Sequence, residues 1–195
     1  MQPDLKTGNN IFALTQAGLS VVEAVNMILD PALAESLAKQ RAVCKAGCSY
    51  CCLQVPELYA IEFEAIKEAQ QKLLRPVRKL IATQTKKVLE AFDRIAREHP
   101  EAISDNDLNA QGIRLMPRIP CPYLVNQKCA VYQVRPTICR CWFNDRRCTQ
   151  GAPMGQNLTN SRIMAAHEIL AGRLPLFPRV TTSSSRTFIY YFRQG

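Results

Sequence analysis

Long apolar runs are missing from this 195-residue chain, and histidine, tryptophan and glycine are scarce. No apolar stretch approaches the roughly 18 residues that a membrane-spanning helix needs. Residues 1–20 contain one lysine and no long apolar segment. We therefore expect no secretory signal, no membrane contact and a cytoplasmic location.

The motifs of several enzyme classes are also missing. The sequence has no glycine-rich phosphate loop, no glycine-rich nucleotide turn, no paired histidines and no Ser-His-Asp set. His99 follows a predicted helix, where a cation suits the C-terminus. His167 stands on a mostly apolar helix, which favours a packed or solvated side chain over a metal ligand. No catalytic residue is assigned, and the question of enzymatic activity stays open.

The composition, with 47% hydrophobic and 21% charged residues, is that of a globular protein with its own core. The length fits one domain over residues 1–195. The net charge is +9, and most of the excess lies in residues 101–195. These basic residues are scattered and match no nucleic-acid motif, which argues against a nucleic-acid partner and leaves a protein partner open. The positive charges of these residues could also compensate anionic thiolates nearby.

Cysteine is abundant instead: there are nine, four of them in the segment CKAGCSYCC as Cys44, Cys48, Cys51 and Cys52. Thiols stay reduced in the cytoplasm, so such a cluster favours metal binding or redox chemistry over disulfides. Short spacings of this kind turn sulfur atoms toward one point, as in zinc and iron–sulfur sites. Cys52 is the odd member, because adjacent side chains diverge in regular backbone.

Helical periodicity dominates the first half. The stretch SVVEAVNMILD has a buried stripe at helical spacing, and Asp30-Pro31 predicts the start of a second helix. A further helix is predicted from Pro56 to Leu74, and Pro76 separates it from another that runs to about Glu98. Residues 1–43 are thus N-terminal helices, followed by a cysteine-cluster core over 44–140.

The second half of the sequence predicts loops, short strands and short helices. Residues 100–112 are polar and predict a loop, and residues 121–132 predict a small β-hairpin. Pro136 suits the start of a short helix. In the C-terminal extension, 141–195, SRIMAAHEILAG predicts a helix that stops at Gly172, and TFIYYF predicts an edge strand or a strap across the core.

A second cysteine group consists of Cys121, Cys129 and Cys139. If Cys121 and Cys129 lie on paired strands and Cys139 on the following helix, all three could converge on the first group. Arg135, Arg140 and Lys45 would lower the pKa of nearby thiols. The fold class is thus mainly α: a single helical domain with a small hairpin and an irregular Cys-rich metal-binding region.

These two segments together resemble the YkgJ-type cysteine-cluster family of bacterial proteins, described as a zinc- or iron-chelating domain. The family pattern is CxxxCxxCC, then CP-aromatic-L, then C-x-hydrophobic-Y-x-x-RP-x-x-CR. The matching residues are Cys44, Cys48, Cys51, Cys52, Cys121, Pro122, Tyr123, Leu124, Cys129, Val131, Tyr132, Arg135, Pro136, Cys139 and Arg140. A branch of the family is similar to flagellin lysine N-methylase, which implies a methyl-transfer alternative. Cys141 and Cys148 stand outside the pattern.

Seven pattern cysteines exceed the four that one zinc ion or one cubane cluster needs. We expect an iron–sulfur cluster or iron as the bound group, with zinc as the alternative in a zinc-stabilised interaction module. A thiol–disulfide switch at Cys51-Cys52 or at Cys139 and Cys141 is the third class, weakened by the strain of vicinal disulfides. The CxxxCxxC spacing also occurs in radical S-adenosylmethionine enzymes, but the helices that follow it here argue against their α/β barrel.

Overall fold

The structure is a computed structural model that describes residues 5–39, 49–143, 156–157, 161–173 and 184–194. The described chain is mainly helical. Its α-helices are α1 (Leu5–Gln16), α2 (Val21–Lys39), α3 (Ala60–Gln71), α4 (Arg75–Glu98), α5 (Ala110–Leu115), α6 (Thr137–Cys141), α7 (Ser161–Leu170) and α8 (Phe188–Gln194). Shorter 3₁₀-helices cover Tyr50–Leu53, Pro100–Ala102 and Tyr132–Val134.

Strands are two residues long and form four antiparallel pairs. They are β1 (Glu57–Leu58) with β8 (Arg186–Thr187), β2 (Ile103–Ser104) with β3 (Asp107–Leu108), β4 (Leu124–Val125) with β5 (Lys128–Cys129), and β6 (Trp142–Phe143) with β7 (Gln156–Asn157). The mainly helical class with small strand pairs is as predicted. Within the described ranges, no helix combines the length and apolar character needed to cross a bilayer.

The first of three apolar core clusters lies between α1, α2 and α7. Ile11, Leu29 and Ile169 are fully buried in it. Helix α2 begins at a capping box, because the Ser20 hydroxyl accepts from the Glu23 N–H and the Glu23 carboxylate accepts from the Ser20 N–H. This capping fixes where the helix enters the core.

The other two clusters lie along α4. Its apolar stripe includes Ile81, Phe92 and Ile95, and basic residues fill the opposite, exposed face. Pro76 sits in the first turn and His99 caps the C-terminus, as the sequence predicted. The N-terminal half of α4 packs with α3, the β4–β5 hairpin and α8. Its C-terminal half packs with β3 and α8.

The prediction that Asp30-Pro31 begins a new helix is wrong, since α2 continues through Pro31 to Lys39. Proline forfeits one backbone hydrogen bond inside a helix. Here Leu29, Ala32 and Leu33 are buried on either side of it, while Pro31 itself is exposed. Tertiary packing therefore outweighs the local break signal.

The predicted loop over 100–112 is also more ordered than expected. It contains the β2–β3 hairpin and the start of α5, where the Asn109 side chain accepts from the N–H groups of Gln111 and Gly112. Asp105 and Asn106 both have positive φ, as a two-residue hairpin turn requires.

The aromatic segment TFIYYF forms most of helix α8 rather than the predicted strand. Phe188, Tyr191 and Phe192 stand three and four residues apart, so a helix places them on one face. There the Tyr191 ring stacks on Phe63 at 4.9 Å between centroids, and Phe188 stacks on Phe192 at 5.5 Å. The helix thus gathers rings that a strand would divide between two faces.

Buried Asp107 holds the C-terminal segment in place. Its carboxylate accepts from the backbone N–H of Thr187 at 2.9 Å and from the Thr187 hydroxyl. Beside this contact β8 pairs with β1, which directly follows the Tyr50–Leu53 turn. Residues near position 187 therefore brace the segment that carries Cys51 and Cys52.

The Arg140 side chain, 1% exposed, links α2, α6 and the Tyr132–Val134 turn. Its guanidinium donates to both carboxylate oxygens of Asp30, at 2.6 and 2.8 Å. It also donates to the carbonyls of Arg135 at 3.1 Å and Gln133 at 2.7 Å. Since buried carbonyls need donors, Arg140 is the polar centre of this part of the fold.

We expect Arg140→Lys to lower the free energy of unfolding by about 2 kcal/mol or more, because an ammonium cannot reproduce the guanidinium fork. Asp30→Asn should cost less than half of that, since the Asp30 side chain is 53% exposed. Urea unfolding followed by circular dichroism measures both. Equal losses would show that the carbonyl contacts contribute nothing.

Candidate metal centre

The site begins at the turn that carries Cys51 and Cys52. The Cys52 N–H donates to Ser49 at 3.0 Å and the Gln54 N–H donates to Cys51 at 3.2 Å, both to carbonyls, which closes the Tyr50–Leu53 turn. The Cys52 carbonyl then accepts from the Cys121 N–H at 2.6 Å. This bond joins two cysteine segments that are far apart in sequence.

The β4–β5 hairpin supplies the second side of the site. Asn126 and Gln127 form its turn with positive φ at both residues. The Ser49 hydroxyl donates to the Gln127 side-chain oxygen at 2.5 Å, a second link to the first segment. Cys129 lies on β5, but Cys121 precedes β4 instead of lying on a paired strand, which corrects the predicted placement.

Helix α6 brings Cys139 to the same place. Its first N–H, of Thr137, donates at 2.7 Å to the carboxylate of Glu62, a residue only 2% exposed. The other oxygen of that carboxylate accepts from the Tyr59 N–H at 3.0 Å, ahead of α3. One buried carboxylate thus fixes the starts of two helices, and α6 with it.

The six cysteines within the described ranges are free thiols. Five of them influence one another electrostatically: burial raises the pKa of Cys139 well above its usual range, and the charges of Cys121, Cys51 and Cys129 add to the effect. Cys52 likewise senses Cys51, Cys121 and Cys139. The two predicted groups therefore lie within electrostatic reach of each other.

The thiols differ in acidity. A hydrogen bond from Cys52 lowers the pKa of Cys51 to about 7, against the effect of burial. Burial raises the pKa of Cys121 to about 12 although a hydrogen bond from the Tyr123 N–H acts in the opposite direction. Burial also raises the pKa of Cys129, whose sulfur accepts from the Val131 N–H. Arg135 adds a smaller lowering of the pKa at Cys51, and at Cys129 burial outweighs the effect of Arg135 and Arg140.

Cys141 belongs to different surroundings. It is 1% exposed and packs in the first core cluster with Tyr59 and Ile169. Cys121 and Cys129 pack against the second cluster instead. Residues two apart on a helix point to nearly opposite sides, so α6 directs Cys139 toward the other thiols and Cys141 away from them.

The donor set suits a soft metal, because thiolates prefer zinc, copper(I) and iron–sulfur clusters. Backbone N–H groups already directed at the sulfur atoms of Cys121 and Cys129 would stabilise bound thiolates. In the described part of the chain, no three His, Cys, Asp or Glu side chains are gathered as a ready metal-binding set. Cys44, Cys48 and Cys148 lie outside the described residues.

Sequence reasoning missed the polar residues that support the thiols. Glu62 was an ordinary member of a predicted helix, and Gln127 was a turn residue. One feature of the sequence could have identified Glu62 as a capping residue: it stands three residues after Tyr59, the spacing of a capping box. His167 packs edge-on against Tyr59, with 5.8 Å between ring centroids, as its apolar helix predicted.

Comparison of the chain with protein-family models, curated proteins and solved structures finds no match.

Glu62→Ala should lower the free energy of unfolding by about 2–4 kcal/mol, because it leaves two N–H groups without an acceptor. Glu64→Ala is the matched control, since Glu64 lies on the same helix with its side chain 61% exposed. We expect the control to change stability by less than about 0.5 kcal/mol. Thermal and urea unfolding of both variants test this, and similar losses would contradict the capping role.

Proposed function

We propose that this protein binds an iron–sulfur cluster or iron through thiolates from two separated cysteine segments. Its ligands are drawn from the seven pattern residues Cys44, Cys48, Cys51, Cys52, Cys121, Cys129 and Cys139. On this proposal the chain is a relative of the YkgJ-type cysteine-cluster proteins.

One observation carries the proposal: the Cys121 N–H donates to the Cys52 carbonyl at 2.6 Å. A backbone bond at this point sets two cysteine-bearing segments side by side, independently of any charge on the thiols. The hairpin then adds Cys129 and α6 adds Cys139. Five thiols that influence one another electrostatically are hard to explain as buried apolar side chains alone.

The number of thiols favours iron over zinc. One tetrahedral zinc ion takes four ligands, so seven pattern cysteines leave a surplus that a larger cluster or a second metal would use. When bound, the group would supply redox chemistry. The protein's own part is to hold the sulfur atoms through backbone N–H groups, such as those of Tyr123 and Val131, in a partly buried place.

Protein purified without oxygen should be brown and contain iron, because thiolate-bound iron–sulfur clusters absorb broadly in the visible range while zinc, with a filled d shell, does not. Elemental analysis of iron, zinc and sulfide per chain gives the measurement. Colourless protein with stoichiometric zinc would favour the zinc-stabilised interaction module. Folded protein that was never oxidised and holds neither metal would end the proposal.

Cys139→Ser and Cys141→Ser form a matched pair on one helix. We expect Cys139→Ser to lose bound metal, because its thiol faces the other cysteines. Cys141→Ser should keep the metal and lose about 1 kcal/mol of stability, because it buries a hydroxyl in an apolar cluster. Metal content and urea unfolding of both proteins distinguish the two effects. If both variants lose metal equally, the division of the two faces of α6 is wrong.

A further inference from the structure

Two arginines five residues apart in sequence behave differently in this fold. Every nitrogen of the Arg140 guanidinium has an acceptor, as described above. The guanidinium of Arg135, by contrast, donates no hydrogen bond and forms no ion pair within the ranges that the structure describes. Its Nε atom is nevertheless buried.

A buried donor without an acceptor costs about 1–3 kcal/mol, so it calls for an explanation. The side chain is held in place: the Arg135 guanidinium carbon lies 4.0 Å from the centre of the Tyr132 ring. Its backbone is fixed as well, because the Arg135 carbonyl accepts from Arg140 at 3.1 Å. Arg135 is therefore a positioned cation with unused donors.

Thiols of both cysteine segments lie within electrostatic reach of Arg135. Its charge acts on the thiols of Cys51 and Cys129, one from each cysteine segment. Metal-bound thiolates carry net negative charge and accept hydrogen bonds. A guanidinium beside them would offset that charge and use its free donors at the same time.

We propose that Arg135 is a positioning residue of the metal centre, whose guanidinium donates to its thiolates and balances their negative charge. The inference rests on the proposed function and adds to it a cation that both cysteine segments share. Arg140 has a different task, since its donors already serve the protein's own carboxylate and carbonyls. The contact with the Tyr132 ring holds the Arg135 side chain in place.

The test uses the full-length chain, reduced and freed of metal, titrated with Co²⁺ alone against a competing chelator. Thiolate-to-cobalt absorption reports binding. Arg135→Gln should weaken Co²⁺ binding by at least about tenfold, the effect expected for losing a charge-assisted hydrogen bond. Arg135→Lys, which keeps the charge, should stay within about threefold of the wild type. Arg114→Gln, a change at an exposed arginine on α5, should bind like the wild type.

A second measurement distinguishes an effect of Arg135→Gln on metal binding from an effect on the stability of the fold. The urea midpoint of the metal-free chain should differ little between the wild type and Arg135→Gln, because the substitution loses the contact with the Tyr132 ring but also removes a buried donor without an acceptor. Equal Co²⁺ affinity of wild type and Arg135→Gln would overturn the inference and leave the metal proposal standing. So would an Arg135→Lys protein as weak as Arg135→Gln. A wild type that binds no Co²⁺ would overturn both.

Discussion

Helix α6 depends on the buried polar side chains of Glu62 and Arg140, and the candidate centre depends on α6. A helix of five residues is too short to be stable through its own hydrogen bonds. Glu62 accepts the N–H at its start, and Arg140 ties its last turn to Asp30 and to two backbone carbonyls. Both residues lie almost completely inside the protein, so their groups have little access to water. These two residues fix the position of α6, which carries Cys139 and Cys141 on opposite sides.

The sequence predicted those parts of the fold that local chemistry decides. Pro76 and His99 delimit α4, and the Asn126–Gln127 turn lies within the predicted hairpin. The errors arise where distant contacts outweigh local preference. Pro31 is carried through α2 by the buried residues beside it. The aromatic residues of α8 are strand formers by propensity, but they are drawn into a helix by Phe63, which lies more than a hundred residues earlier.

For the site, the spacing of cysteines predicted that two segments approach one another, and in the described residues the Cys121 N–H and the Cys52 carbonyl join them. The supporting contacts were not predictable, because Ser49 with Gln127 and Glu62 with Thr137 are pairs joined only by folding. The separation of Cys139 from Cys141 follows from helical geometry once α6 is known. The basic residues fall into two groups. Arg135 and Arg140 lie near the thiols, while the lysines and arginines of α4 face outward.

The pairing of β1 with β8 sets an order in time. A chain made by the ribosome emerges from its N-terminus, at about 5–20 residues per second. Asp30, Glu62, Gln127 and Arg140 all emerge before Thr187, which completes the brace behind the Tyr50–Leu53 turn. The cysteines described here are thus synthesised some seconds before β8, so the pairing that joins β1 to the C-terminal segment is among the last contacts that translation makes possible.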